Sequence, residues 1–388
     1  MSDDAGNPSG GATRRRMLGS LLAAPALLAA SVRSAGVEGA EPTVPPRDFS
    51  PGAPPVPYPD ADVLAVHPSF NALRVFNAPI QRLWTGALWS EGPAWSAQGR
   101  YLVWSDIPND RQLRWIEDEG RVSVMRQPSN NSNGNTFDFQ GRQISCEHLR
   151  RRVVRYEHDG SVSVIADSLD GKALNSPNDV VAHPDGSYWF SDPPYGAQLY
   201  EGAVDAPGGK GNPEGRLRSR AGQPADIGAP RQQLPNHVYR VDPRGRISVA
   251  IDGASLPAIP NGLAFSTDYK KLYLVCGAGL LVADVAADGR VSGVRQFARV
   301  EIDGVVCGMD GVRVDVQGNL WCSSNAGSAS GYSGVTVLNA SGTLIGRIRL
   351  PEACANLAFG GPKRNRLFMT ASQSLYAVYV NTQGAAPG

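Results

Sequence analysis

Asn178-Asp-Val-Val-Ala182, then Asp185-Gly186 and Tyr188-Trp-Phe-Ser-Asp192, is the stretch that decides the fold of this 388-residue chain. A polar leader precedes a short apolar run, a glycine turn, and a second apolar run that ends on a polar residue. Variants of this register recur five more times. Glu91-Gly-Pro-Ala-Trp95 leads to Tyr101-Leu-Val-Trp-Ser-Asp106, and Asn133-Gly-Asn-Thr-Phe137 leads to Gln143-Ile-Ser-Cys-Glu-His148. Asn261-Gly-Leu-Ala-Phe265 goes with Leu272-Tyr-Leu-Val-Cys276, and Asp310-Gly-Val-Arg-Val314 with Leu320-Trp-Cys-Ser-Ser324. The last copy is Ala355-Asn-Leu-Ala-Phe359 with Leu367-Phe-Met-Thr370. The leaders lie 42, 45, 83, 49 and 45 residues apart, the period of propeller blades with one long insertion. A repeat built on strands cannot bury its face alone, so the copies must stack around an axis. The sequence therefore predicts an all-β, six-bladed β-propeller of four-stranded antiparallel blades.

Between the cores lie hairpin-like pairs such as Val153-Val-Arg-Tyr156 and Ser161-Val-Ser-Val164, joined through His158-Asp159-Gly160. Turns of the Asp-Gly kind between alternating runs signal hairpins, and each unit thereby reaches about four strands. The last unit is short, with one further apolar strand at Leu375–Val380. Its missing outer strand must come from elsewhere or an edge is left open. Ile80-Gln-Arg-Leu-Trp-Thr85 is the natural donor, so the ring is expected to close through this N-terminal strand.

The domain reading follows. Residues 1–40 form an export signal: Arg14-Arg-Arg16 precedes an apolar stretch from Leu18 to Ala30, with small residues to Ala40. The paired arginines favour the twin-arginine (Tat) route and its export machinery, with an ordinary secretory signal as the alternative. Either places the mature protein in the periplasm or outside the cell. The apolar run is too short for a membrane span. Residues 41–70 are read as a Pro-rich linker, and 71–383 as the propeller with an insertion at about 193–235. That insertion, rich in Gly, Pro and Arg, is a lid over the channel mouth or a mobile excursion. A net charge of +1 (37 Lys and Arg against 36 Asp and Glu) gives no nucleic-acid footprint. The five cysteines contain no C-x-x-C and sit mainly in apolar strands, as buried thiols do. No G-x-S-x-G elbow, H-E-x-x-H, Walker loop or dinucleotide fingerprint is present.

The chemistry is expected where the leaders converge. Innermost strands line the channel, so Glu91, Asn133, Asn178, Asn261, Asp310 and Ala355 should ring one mouth. Asn and Asp also begin strands because they suit turns, but Glu has no such role. Two carboxylates and several amides on one axis are costly to desolvate unless a cation satisfies them. Oxygen ligands suit one hard divalent ion, Ca²⁺ first, with Mg²⁺ or Mn²⁺ admitted and Zn²⁺ also worth testing. The second strands return Asp106, His148, Asp192 and Asn325 to the same mouth. His148 is the candidate for proton transfer or substrate contact, or else a hydrogen-bonded structural histidine.

These residues resemble the SMP-30/gluconolactonase/LRE-like family of six-bladed propellers. The likeness rests on Glu91-Gly-Pro-Ala-Trp95, on Ser176-Pro-Asn-Asp-Val-Val181 with Phe190-Ser-Asp-Pro-Pro-Tyr-Gly196, and on Pro260-Asn-Gly-Leu-Ala-Phe-Ser266. Met309-Asp-Gly-Val-Arg-Val-Asp315 belongs to it too, and Asn133-Gly-Asn-Thr-Phe-Asp-Phe-Gln-Gly-Arg142 resembles the bacterial gluconolactonase branch. The resemblance implies metal ligands at Glu91, Asn261 and Asp310. It assigns Asn178 to metal or substrate and Asp310 also to general base. Asn133 and His148 are carried over as substrate contacts. The implied activity is metal-dependent opening of a sugar lactone, a small-molecule substrate. The alternatives are a phosphotriesterase or aryl esterase on the same metal, or a non-catalytic binding propeller stabilised by the ion.

Overall fold

The computed structural model describes residues 47–198, 232–327, 329 and 331–386. Its innermost strands are Ser90–Ser96, Ser132–Phe137, Val180–Ala182, Pro260–Phe265, Val312–Val314 and Cys354–Gly360. Each begins an antiparallel sheet that meanders outward, so the chain is a six-bladed β-propeller. In blade one the order is Ser90–Ser96, Tyr101–Asp106, Arg111–Ile116 and Arg121–Arg126. Burial falls along that order: every residue of Ser90–Ser96 is buried and none of Arg121–Arg126 is. An inner strand has a blade on each face, which is why it tolerates continuous apolar runs; an outer strand meets water and alternates.

Aromatic residues fill the seams between blades. Trp95 of blade one stacks on Phe368 of blade six with ring centroids 5.7 Å apart. Trp189 of blade three meets Phe265 of blade four edge-on, and Trp321 of blade five meets Phe359 of blade six in the same way. The glycine turns behave as their spacing suggests. Gly141, Gly186 and Gly318 take φ of 77°, 89° and 81°; in blade one the left-handed residue is Arg100, at 52°.

Gln81–Thr85 pairs antiparallel with Ser374–Tyr379 and supplies the outer strand of blade six. The linker expected at 41–70 is a different matter, because its later part belongs to the fold. Val63–Ala65 pairs with Leu344–Arg349 as a fifth strand on blade five. Asp62 accepts from Arg349, Arg47 is ion-paired to Asp60, and Phe49 packs edge-on against Tyr376. Proline content misled here: Pro excludes ladder donors only locally, and a three-residue edge strand needs few of them. The proposed export signal at 1–40 and most of the insertion, residues 199–231, lie outside the described residues. All five cysteines are free and buried.

Candidate active site at the channel mouth

Four of the six leaders sit at a local irregularity of the strand ladder. The ladder between the first two strands shifts register between Glu91 and Ala94, Ser132 and Asn135, Pro260 and Leu263, and Cys354 and Asn356. A bulge at such a place re-aims a side chain and frees backbone groups. Those groups are taken up by the next blade. Gly134 N donates to Asn178 O at 2.7 Å, Gly262 N to Asp310 O at 3.0 Å, and Gly311 N to Ala355 O at 2.9 Å. The glycine after the leader lets the strands come this close. At Gly92 (φ 52°) an added Cβ would stand 2.1 Å from Asn133 O.

Three leaders from separate blades meet. The Asp310 carboxyl lies close enough to the side chains of Glu91 and Asn261 for both to lower its pKa. Burial, followed by the charge of Asp179, pushes the Asp310 carboxyl up to about 7. Asp310 keeps some accessible surface, yet its carboxyl is set deep enough that lost hydration leads the shift. Glu91 is also held well above the usual carboxylate range, by burial first and by Asp310 next. Two carboxyls that would repel if both ionised therefore share proton density, and a cation is what would let both ionise.

The amides complete the set. Asn133 Oδ1 and Asn261 Oδ1 are buried without a hydrogen-bond partner. Buried orphan carbonyl oxygens are rare because they are costly, and here they point to a missing electropositive partner. Two carboxylates with orphaned amide oxygens thus fit an oxygen-seeking divalent ion. Among the described residues, no three His, Cys, Asp or Glu side chains cluster as a metal centre, so such an ion would have to draw on the amides. Asn178 enters the ring through its backbone: its N–H donates to Ser191 O and its carbonyl accepts from Gly134.

His148 is buried, with Nε2 3.4 Å from Asn133 Nδ2 and Nδ1 unpartnered. Burial lowers its pKa to about 3, so the ring is a neutral imidazole at physiological pH. With Asn133 Nδ2 donating to Nε2, Nδ1 carries the proton and is left to donate. The remaining second-strand residues differ in use. Asp106 is spent on Arg111, Asn109 and the Leu88 N–H, which makes it structural. Asp192 accepts from Asn175 N, keeps one orphaned oxygen, and is pushed up to about 7 by burial.

Three residues not singled out from the sequence stand at the site. Asp179, fully buried in blade three, is reached at 3.4 Å by Asn356 Nδ2 of blade six and at 3.5 Å by Arg313 Nη1 of blade five. Asn356 in turn lies beside Glu91 and lowers its pKa slightly against the larger effect of burial. Both occupy the place after the leader, where the other four blades carry glycine. That departure was the available signal. Tyr195 lies beside Asp310, whose charge adds to burial in raising the phenol to about 12. Its turn is clamped by Gly196 N donating to Ser176 Oγ at 2.8 Å.

Fold and site together define a six-bladed propeller whose one mouth gathers carboxyl and amide oxygens from separate blades. The chain belongs to the SMP-30/gluconolactonase/LRE-like family, whose profile matches residues 89–373. It is 28% identical over 341 residues to a gluconolactonase of Zymomonas mobilis, covering 82% of this chain and 85% of that protein. Against the pentonolactonase XacC of Haloferax volcanii the identity is 26% over 293 residues, covering 73% and 81%. A solved gluconolactonase structure from Xanthomonas campestris superposes with a TM-score of 0.67 at 33% identity, covering 85% of this chain and 99% of that one. No helix among the described residues is long and apolar enough to cross a membrane.

Proposed function

We propose that this protein is a metal-dependent lactonase of the exported compartment that opens a sugar lactone such as an aldonolactone. The observation that carries the reading is the meeting of Glu91, Asn261 and Asp310, three leaders from three blades, with an orphaned amide oxygen among them. Its relatives named gluconolactonase and pentonolactonase support lactone opening. Glu91, Asn261 and Asp310 would hold the ion, with Asn178 the fourth candidate ligand. A divalent cation bound there supplies Lewis-acid polarisation of the lactone carbonyl, and Ca²⁺ heads the candidates.

The chain's own groups do the rest. Asp310, held ionised by the bound cation, accepts the proton of the water that attacks the carbonyl carbon. The ring C–O bond then breaks, and the departing oxygen takes up a proton to become a hydroxyl. Asn133 and Asn178 hold substrate hydroxyls. His148, neutral and with a free Nδ1–H, donates a hydrogen bond to substrate and is not an imidazolium acid. The test uses metal-stripped protein reloaded in turn with Ca²⁺, Zn²⁺, Mg²⁺ and Mn²⁺. Each form is assayed on δ-gluconolactone, a pentonolactone, a phosphotriester and an aryl ester. Ion-dependent opening of the lactones is expected. Turnover confined to the phosphotriester or aryl ester would reassign the substrate, and an ion that raises Tm with no turnover on any of them would make the site structural.

A further inference from the structure

Two places after the leader, five blades carry an apolar residue or proline: Pro93, Val180, Leu263, Val312 and Leu357. Blade two carries Asn135 there, and its side chain is fully buried. The surroundings are built for it. Asn135 Nδ2 lies 2.9 Å from Gly92 O, 3.1 Å from Asn133 O and 3.1 Å from Ser105 Oγ. Its Oδ1 accepts from Gln112 Nε2 at 3.1 Å and from Gln143 Nε2 at 3.0 Å. Arg126 Nη1 secures both glutamines, donating to Gln112 Oε1 at 2.6 Å and Gln143 Oε1 at 2.7 Å. Arg126 itself lies over the ring of Tyr156, 3.5 Å from its centroid.

The two carbonyls bridged by Asn135 are those next to the leaders of adjacent blades. Gly92 follows Glu91, and Asn133 is itself the leader of blade two. Both sit in the bulges that aim Glu91 and Asn133 at the channel. A buried amide network is costly to desolvate against an apolar packing of similar shape, so it is an expensive way to join two blades that Val or Leu joins elsewhere. What it adds is a single allowed arrangement, since every donor and acceptor in it is aimed.

We propose that Asn135 is a positioning residue. Its amide sets the separation of Glu91 from Asn133 and thereby the shape of the ion- and substrate-facing mouth. The inference rests on the lactonase reading for what that mouth binds. The deciding variant is Asn135→Leu, which installs the residue of blades four and six. Because it leaves Gly92 O without its side-chain donor and Gln112 and Gln143 without their shared acceptor, its Tm is expected to fall modestly, and kinetics are read well below it. Its kcat should fall about 10- to 100-fold, with KM little changed, as for groups that orient metal ligands. The divalent-ion concentration giving the half-maximal thermal shift should rise by a similar factor. Gln112→Met, which loosens Asn135 from its far side while sparing both carbonyl contacts, should move the same quantities less. Unchanged kcat and ion midpoint in Asn135→Leu overturns the proposal. So does a loss of activity matched by collapse of Tm in both variants, which would make the network merely structural. Should the unaltered protein open no lactone, the substrate reading fails, and the ion midpoints still decide the role of Asn135.

Discussion

The two ends of the central channel are made by the same six strands and are chemically opposite. At the leading end stand Glu91, Asn133, Asn178, Asn261 and Asp310, with two amide oxygens unpartnered. At the far end the inner strands of blades two to six present Thr136, Val181, Ala182, Ala264, Phe265, Val314 and Phe359, with Arg313 the one charged side chain among them. There the chain covers itself with its own C-terminal segment. Gln383 O accepts from Val316 N, Gly384 N donates to Arg364 O, and Ala385 N donates to Val314 O. Gly384 lies so close to Phe359 that an added Cβ would stand 2.5 Å from that ring's Cβ. One mouth is satisfied by backbone and apolar contact; the other holds polar groups that the protein alone does not satisfy. Unspent hydrogen-bonding capacity is what distinguishes a site from a seal.

The largest expected effect comes from striking the polar mouth. Asp310→Asn should lower kcat by about 10²- to 10⁴-fold, the usual span for a lost general base. It should leave Tm of the metal-free protein no lower, since it removes a carboxyl that burial penalises. Full activity in that variant would take Asp310 out of the mechanism.

An intermediate effect is the pH dependence of the metal-free protein. The Asp310 carboxyl sits at about 7 when folded, against an ordinary 3.8. Between those values the folded state binds more protons than the unfolded one. Its contribution to stability is therefore fully present below about pH 4 and is lost as pH rises through about 7. His148, lowered from 6.5 to about 3, acts in the opposite sense below neutrality. The difference in Tm between the unaltered protein and Asp310→Asn isolates the carboxyl. That difference should shift against the unaltered protein as pH climbs, and saturating divalent ion should abolish the trend. A pH-independent difference would mean that Asp310 is already ionised in the folded protein.

The smallest expected effect falls at the sealed end. Removing residues 383–388 deletes three backbone hydrogen bonds, each contributing about 1 kcal/mol. A loss of about 3 kcal/mol in unfolding free energy with kcat unchanged would separate the two mouths cleanly. A drop in kcat out of proportion to stability would show that the ends communicate along the strands.

Much of this was legible in the chain. The six leaders, their spacing and, in four copies, the glycine eight places on (Gly99, Gly141, Gly186 and Gly318) define blades, because a strand repeat has few ways to bury itself. Register alone set all six leaders around one axis, and the choice of Glu91, Asn261 and Asp310 among them came from the family resemblance. Less legible were residues that break the register. Asp179 and Asn356 replace the glycine that four other blades keep, and Asn135 replaces an apolar residue. Each was visible as a departure, but its partner was not, since Asn356 and Asp179 are 177 residues apart in the chain and come from blades three and six. The Pro-rich segment before residue 70 was misread for a related reason. Whether a short run such as Val63–Ala65 becomes a strand depends on an open edge, here that of Leu344–Arg349.

What the sequence by itself determined is the blade count, the strand content and the set of oxygen-bearing leaders, because local periodicity and turn chemistry dictate them. Only the tertiary structure decided which of those oxygens remain without partners, which carboxyls are raised, and that blades one and two are joined by amides. Those properties depend on desolvation and on partners brought from distant blades, and neither is written at any one position of the chain.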